Sequence, residues 1–228
     1  MKRSQINSAI ARAKARMEQY SVSLPMFGYW TPEDWKANKD GIAKIREGML
    51  GWDVTDFGSD DFSHTGAVLF TVRNGDKNDA SMSRPYCEKY IVLDDTDEQE
   101  IPYHYHILKT EDIINRAGGT LVIQVYHKTE DDKLDTTHPV TVFMDGIYRT
   151  FAPGEPIEVT PGNSITLEPG VFHRFTAKKG DGLLIVGEVS KVNDDNCDNV
   201  FLNPSKRFSA IDEDEAPIHP LVNEYSNL

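Results

Sequence analysis

The chain has 228 residues, 39% of them hydrophobic, and a formal net charge of −13 at pH 7. This is length and apolar content enough for one β-rich domain with a sizeable core. The charge excludes nucleic acid as a partner class, since no basic patch offsets phosphate repulsion. Two cysteines, Cys87 and Cys197, lie far apart and outside any C-x-x-C spacing, which reads as reduced structural thiols in a cytoplasmic protein.

In chain order, charges interrupt every apolar run of the first 17 residues, so no signal-peptide core forms. Ile6, Ile10, Ala13 and Met17 fall at helical spacing, with Ser4 as a cap, and predict an amphipathic helix. Its apolar face is too thin for a membrane-surface helix, and no membrane partner is expected. Thr31, Pro32, Glu33 and Asp34 mark a second helix start, with an N-cap, a proline at the first helical position and acids in the first turn. From residue 67 the pattern changes to short β-type runs at 67–72, 86–93, 119–126, 140–144, 157–159, 164–167, 174–177 and 183–189. Gly, Pro, Asn and Asp separate them, with Asp145-Gly146 as a hairpin turn. The acidic run 94–100 reads as a solvated loop. Many short strands imply a sandwich or barrel, here a mainly β jelly roll in one domain. Its expected divisions are a helical extension at 1–66, a barrel core at 67–190 and a C-terminal extension at 191–228.

The chemistry concentrates in Tyr103-His104-Tyr105-His106-Ile107-Leu108-Lys109-Thr110-Glu111 and in Pro169-Gly170-Val171-Phe172-His173. Alternate residues of a strand share a face, so His104 and His106 can meet one cation while Tyr105 points away. Glu111 returns to that cation if the chain turns into a neighbouring strand, and His173 completes the set. Three imidazoles and a carboxylate, without thiolate, suit Mn2+, Fe2+, Co2+, Ni2+ or Zn2+ and disfavour a structural zinc site. On a six-coordinate cation, two positions remain for water or two adjacent substrate oxygens. His64, His127, His138 and His219 lack ligand spacing.

His104-x-His106-x4-Glu111-x6-Gly118 followed by Pro169-Gly170-x2-His173 resembles the two metal-binding motifs of the cupin superfamily. Glu98 stands where the first motif often opens with Gly, and Ala177 replaces the closing Asn of the second. Nearly the whole chain resembles the D-lyxose isomerases, cupin-type aldose–ketose isomerases related to L-ribose isomerases. The resemblance rests on the N-terminal helix with residues 30–35, on Lys109 between the ligands, and on Gly187-Glu188-Val189-Ser190, Asn193-Asp194-Asp195-Asn196 and Lys206-Arg207-Phe208. It implies Mn2+, a homodimer, and interconversion of D-lyxose with D-xylulose, with D-mannose and D-fructose as secondary substrates.

Moving a carbonyl between C1 and C2 through a cis-enediol requires a base, an acid and stabilisation of the enediolate. Glu188 ends an apolar strand run, and desolvation there is expected to raise its pKa and make it a proton shuttle. The resemblance places a second acid/base seven residues on, at Asp195, where the L-ribose isomerases carry Glu; Asp194 is the neighbouring candidate and a substrate contact. Lys109 can reach a substrate hydroxyl or the developing oxyanion. Arg207 resembles the family's substrate-contacting arginine. Taken singly, Glu188 could be a strand-end carboxylate, the aspartates turn caps and Lys109 a loop charge; their joint occurrence around the metal motif favours function. Two alternatives stand from other classes, a metal-dependent cupin dioxygenase and a non-catalytic sugar-binding cupin.

Overall fold

The computed structural model describes residues 1–76, 83–96, 98–194 and 197–227. Three helices come first: α1 (Arg3–Gln19), α2 (Pro32–Ala37) and α3 (Ala43–Glu47). Fourteen strands follow: β1 (Gly51–Thr55), β2 (Ala67–Asn74), β3 (Tyr86–Leu93), β4 (Glu100–His106), β5 (Glu111–Ala117), β6 (Leu121–Lys128) and β7 (Leu134–Asp135), then β8 (Val140–Met144), β9 (Ile147–Phe151), β10 (Ile157–Val159), β11 (Ser164–Leu167), β12 (Val171–Ala177), β13 (Leu184–Lys191) and β14 (Asn199–Phe201). One sheet has the order β1-β2-β3-β13-β5-β11-β8-β9, the other β10-β6-β12-β4-β14, with β7 beside β6.

The two curled sheets enclose a core of aliphatic and aromatic side chains, and period-two alternation decides which residues enter it. On β2, Ala67 and Leu69 face this interior, whereas Val68, Phe70 and Val72 face outward under α1. Both faces of β2 are therefore buried, as its nearly continuous apolar run requires. The architecture is a mainly β, cupin-type jelly-roll barrel with N-terminal helices, as the strand pattern and motifs imply.

Ile6, Ile10, Ala13 and Met17 of α1 are buried against that outer face, each of the larger ones worth about 1.5–3 kcal/mol of apolar burial. Lys2 rather than Ser4 is the N-cap. The Ser4 hydroxyl and backbone N–H both reach the Asp214 carboxylate, at 2.7 and 2.9 Å, which draws Ser4 into the first turn. Arg3, also in that turn, pairs with Glu213 at 2.6 Å and with Glu224, tying the helix to the C-terminal segment. Thr31 caps α2 as its sequence signal predicts, its hydroxyl accepting the Asp34 N–H at 3.3 Å. Residues 1–66 also contribute β1, whose register with β2 runs from Gly51↔Thr71 to Thr55↔Ala67.

Asp145 and Gly146 make the β8–β9 hairpin turn with φ of 48° and 89°, the double left-handed conformation of a two-residue hairpin loop. Glu98, at the position where the cupin motif has Gly, is left-handed too, with φ 53°. One irregularity positions the site. Between β12 and β4 the register passes from His173↔His104 to Phe175↔Ile101. Two residues of β4, Pro102 and Tyr103, thus oppose the single Arg174, a β-bulge. The extra residue lets Ile101 and His104, an odd step apart, both face the interior.

Candidate metal and acid/base site

His104 and His106 enter the barrel from β4, His173 from β12 and Glu111 from the start of β5, and all four are buried. One ring nitrogen from each of the three histidines lies within 4.8 Å of the others. The Glu111 carboxylate meets two of the rings, with Oε1 3.2 Å from His173 Nε2 and Oε2 3.3 Å from His106 Nε2. Tyr105 points the other way, stacking edge-on against Phe172.

His104 Nδ1 donates to the Pro102 carbonyl at 2.8 Å and His173 Nδ1 to the Val171 carbonyl at 3.0 Å. Each neutral ring then carries its proton on Nδ1, so both Nε2 atoms present lone pairs. Those Nε2 atoms stand 3.0 Å apart. Two lone pairs at that separation are placed to share one cation. Nitrogens each about 2.1 Å from one ion, at right angles about it, are about 3.0 Å apart. Neither ring nitrogen of buried His106 has a hydrogen-bond partner of good geometry among the described residues, an unmet coordination capacity of the same kind. Burial, then the neighbouring rings, hold His104 well below the ordinary histidine value, and burial likewise lowers His106. Both are neutral ligand donors.

Lys109, in the turn between β4 and β5, joins the carboxylates: its Nζ is 2.9 Å from Glu111 Oε2 and 2.8 Å from Glu188 Oε1. Burial disfavours its charge, but Glu111 and Glu188 outweigh that and raise it above the ordinary lysine value, so it stays an ammonium. Glu111 is conversely held well below the usual carboxylate range, burial being overcome by Lys109 and His106. Glu188, on β13, corrects the sequence expectation. Burial alone would raise its pKa, but Lys109 and Lys89 reverse the direction and the carboxyl is lowered. The site holds it as a carboxylate.

Lys89, Asn193 and Asp198 join this cluster, and the sequence reading assigned a role to none of them, although Asn193 stands in one of the stretches that carry the resemblance. Lys89 Nζ lies 3.4 Å from both Glu188 oxygens and 2.7 Å from Asn193 Oδ1. Asp198 accepts the Leu108 and Lys109 N–H groups at 2.7 and 3.2 Å and places Oδ2 3.8 Å from His106 Nδ1, fixing the turn that carries Lys109. The parity of β3 held a signal: Lys89, Ile91 and Leu93 alternate onto one face, and the two aliphatics are core.

His104, His106, Lys109, Glu111, Glu188 and Arg207 line one chamber. Arg207 is paired with Asp53 at 2.5 Å and also lines a larger cleft of about 590 Å³, whose wall includes Asn193 and Asp194. Asp194 faces that cleft and accepts the Cys197 thiol at 2.7 Å. Asp195 lies outside the described residues.

Fold and site together define a cupin-type barrel carrying a buried three-histidine cluster that could hold a metal ion, beside an ammonium–carboxylate network. Residues 1–225 match the D-lyxose isomerase family. The chain is 40% identical to the D-lyxose/D-mannose isomerase of Serratia proteamaculans and 39% identical to that of Escherichia coli O157:H7. Each match spans 226 residues, 99% of this chain and 98% of the relative. Among solved structures, the L-ribose isomerase of Cellulomonas parahominis with L-ribose superposes with a TM-score of 0.60 at 16% identity, and that of Geodermatophilus obscurus with 0.57 at 18%. Each covers 93% of this chain and 98% of the other. The chain belongs to the D-lyxose isomerase family and is a sugar isomerase. Among the described residues no helix is long and apolar enough to cross a membrane.

Proposed function

We propose that the enzyme interconverts D-lyxose with D-xylulose, and D-mannose with D-fructose, through a cis-enediol, as a cytoplasmic homodimer using Mn2+. The relatives named D-lyxose/D-mannose isomerase support this choice of sugars. The observation that carries it is the linkage of the metal-type cluster to a buried carboxylate through one ammonium, Glu111–Lys109–Glu188, at 2.9 and 2.8 Å. His104, His106, His173 and Glu111 would hold the divalent ion, which when bound polarises the carbonyl and supports charge on the two adjacent sugar oxygens.

The chain's own groups supply the rest. Glu188, ionised and excluded from water, takes the proton from the carbon next to the carbonyl and returns it to the neighbouring carbon. Lys109 donates to the oxygen on which negative charge develops. Arg207, anchored by Asp53, orients the distal hydroxyls from the chamber wall. Asp194 contacts the sugar chain from the cleft side, and Asp195 is the partner acid/base implied by the L-ribose isomerase resemblance. Family membership sets aside the dioxygenase and the non-catalytic sugar binder.

The test is ketose formation from D-lyxose, D-mannose, D-xylose and L-ribose by protein stripped with chelator and refilled with Mn2+. Activity that disappears on stripping and returns with Mn2+, fastest on D-lyxose, supports the proposal. Inertness toward every sugar while the metal is demonstrably bound overturns it. Glu188→Gln is expected to lower kcat by about 10²–10⁴-fold, the usual contribution of a positioned acid/base, without loss of fold.

A further inference from the structure

Glu188 faces two ammoniums, Lys109 and Lys89, and the first of them is shared with Glu111. Lys89 stands directly across from Glu188, in the register pair Glu188↔Lys89 of β13 and β3, so the two side chains leave neighbouring strands on the same interior face. Ile91, Ile113 and Val186 of the same interior belong to the aliphatic core. A lysine 3% exposed at mid-strand is costly there unless its charge is used.

The two oxygens of Glu188 are treated differently. Oε1 accepts from Lys109 at 2.8 Å, from the Ser190 hydroxyl at 3.0 Å and from Lys89 at 3.4 Å. Oε2 has one hydrogen bond from the described residues, the long 3.4 Å contact from Lys89. Lys89 is itself held by Asn193 Oδ1 at 2.7 Å, which also takes Lys109 at 3.3 Å. Asn193 is fixed by a reciprocal pair with Asn74, N–H to Oδ1 and Nδ2 to carbonyl oxygen, both 3.0 Å. A rigid frame from β2 thus reaches Glu188 through Lys89.

We propose that Lys89 is a positioning residue that fixes the Glu188 carboxylate and directs its Oε2 to the carbon-bound proton of the sugar. This rests on the isomerase reading of the site. In the forward step the C2–H bond of the aldose breaks and the Oε2–H bond forms. The C–H electron pair becomes the C1–C2 double bond, and the carbonyl pair moves to O1. On return the proton goes from Oε2 to C1, the hydroxyl proton of O2 ends on O1, and C2 becomes the ketose carbonyl; nothing is lost to solvent. Because Oε1 is saturated by three donors, Oε2 is the more basic oxygen. Among the described residues the charged groups facing Glu188 are Lys89 from β3, Lys109 from the β4–β5 turn and Glu111 from β5; Ser190 and Asn193 are neutral.

The experiment compares unsubstituted protein with Lys89→Met, Lys89→Gln and Lys89→Arg. Two readouts are taken: the pH profile of turnover, and the ¹³C signal of the Glu188 carboxyl in glutamate-labelled protein, assigned by its loss in Glu188→Gln. The neutral variants are expected to lower kcat at least tenfold with KM within threefold, a loss of about 1.4 kcal/mol or more of transition-state stabilisation. They should also move the acid limb and the carboxyl midpoint upward by about one pH unit or more, while Lys89→Arg keeps both near the original. Unmoved midpoints and kcat within twofold in a folded neutral variant overturn the proposal. If neither neutral variant folds, Asn193→Ala, which removes the Oδ1 that holds Lys89, decides: kcat within twofold of the unsubstituted protein together with an unmoved carboxyl midpoint overturns the proposal. Unsubstituted protein inert on every sugar defeats the isomerase reading instead, a separate outcome.

Discussion

Replacing Lys109 with Met removes the ammonium between Glu111 and Glu188 while keeping a side chain of similar length. Both carboxylates are buried, at 3% and 4% exposure, so the change strands charge in the barrel rather than loosening a surface pair. Deleting one partner of a buried pair costs about 3–5 kcal/mol. Lys109 serves two carboxylates, and among the described residues only Glu188 keeps a second ammonium, at Lys89. The metal-free protein is therefore expected to lose about 4–5 kcal/mol, the upper part of that range, a fall in Tm of roughly 8–20 °C for a chain of this size. A divalent cation on the histidines and Glu111 would restore positive charge beside the stranded carboxylate, so the loss should be smaller in the loaded protein. The assay is urea unfolding and calorimetry of both proteins, stripped and Mn2+-saturated. A loss below about 1 kcal/mol in the stripped protein, the size of a surface pair, refutes the reasoning. So does an equal loss in the two states.

Asp198→Ala frees the Leu108 and Lys109 amides and should weaken metal affinity roughly 10–100-fold, read by competition with a chromophoric chelator; unchanged affinity counts against a supporting role. Metal-free stability should depend on pH with a definite sign. His104 and His106 are held below 6.5 in the fold, chiefly by burial, so the unfolded chain takes up protons first and stability is lost as pH falls through that value. Glu111 and Glu188, held below 4.5, add a second loss below that pH. Lys109, raised above 10.5, loses its contribution only on the alkaline side. A urea midpoint that is flat between pH 8 and 5 contradicts this account. Gly118→Ala should destabilise by about 2 kcal/mol or more, measured as a drop in Tm: its φ is 91° and an added Cβ would sit 2.2 Å from the Leu183 carbonyl oxygen.

The three-histidine cluster was legible because its signal is local: alternate residues of one strand, and a turn-plus-histidine unit in another. The strand runs were legible for the same reason, and residues 86–93 and 140–144 coincide with β3 and β8. What escaped is what pairing between distant segments decides. Lys89 meets Glu188, 99 residues away, only through the β3–β13 register, and Asp198 meets the Lys109 turn only through β14 lying beside β4. The pKa direction of Glu188 failed on the same ground. Burial could be inferred from its own strand, but the ammoniums that overrule it arrive from two other segments. β1 is five residues long, and its placement depends on pairing with β2.

The bulge at Pro102 and Tyr103 has a practical consequence for anyone transplanting this centre. Grafting residues 101–106 onto a regular strand of another barrel, with Ile101 at an inward position, would send the imidazoles out through the wall. Inward direction and apolar parity agree here only because one extra residue intervenes between Ile101 and His104. The smallest portable unit is therefore Ile101 to Glu111, carried together with the opposing stretch His173 to Phe175. A single deletion within 102–103 is then equivalent to turning the whole upstream strand over.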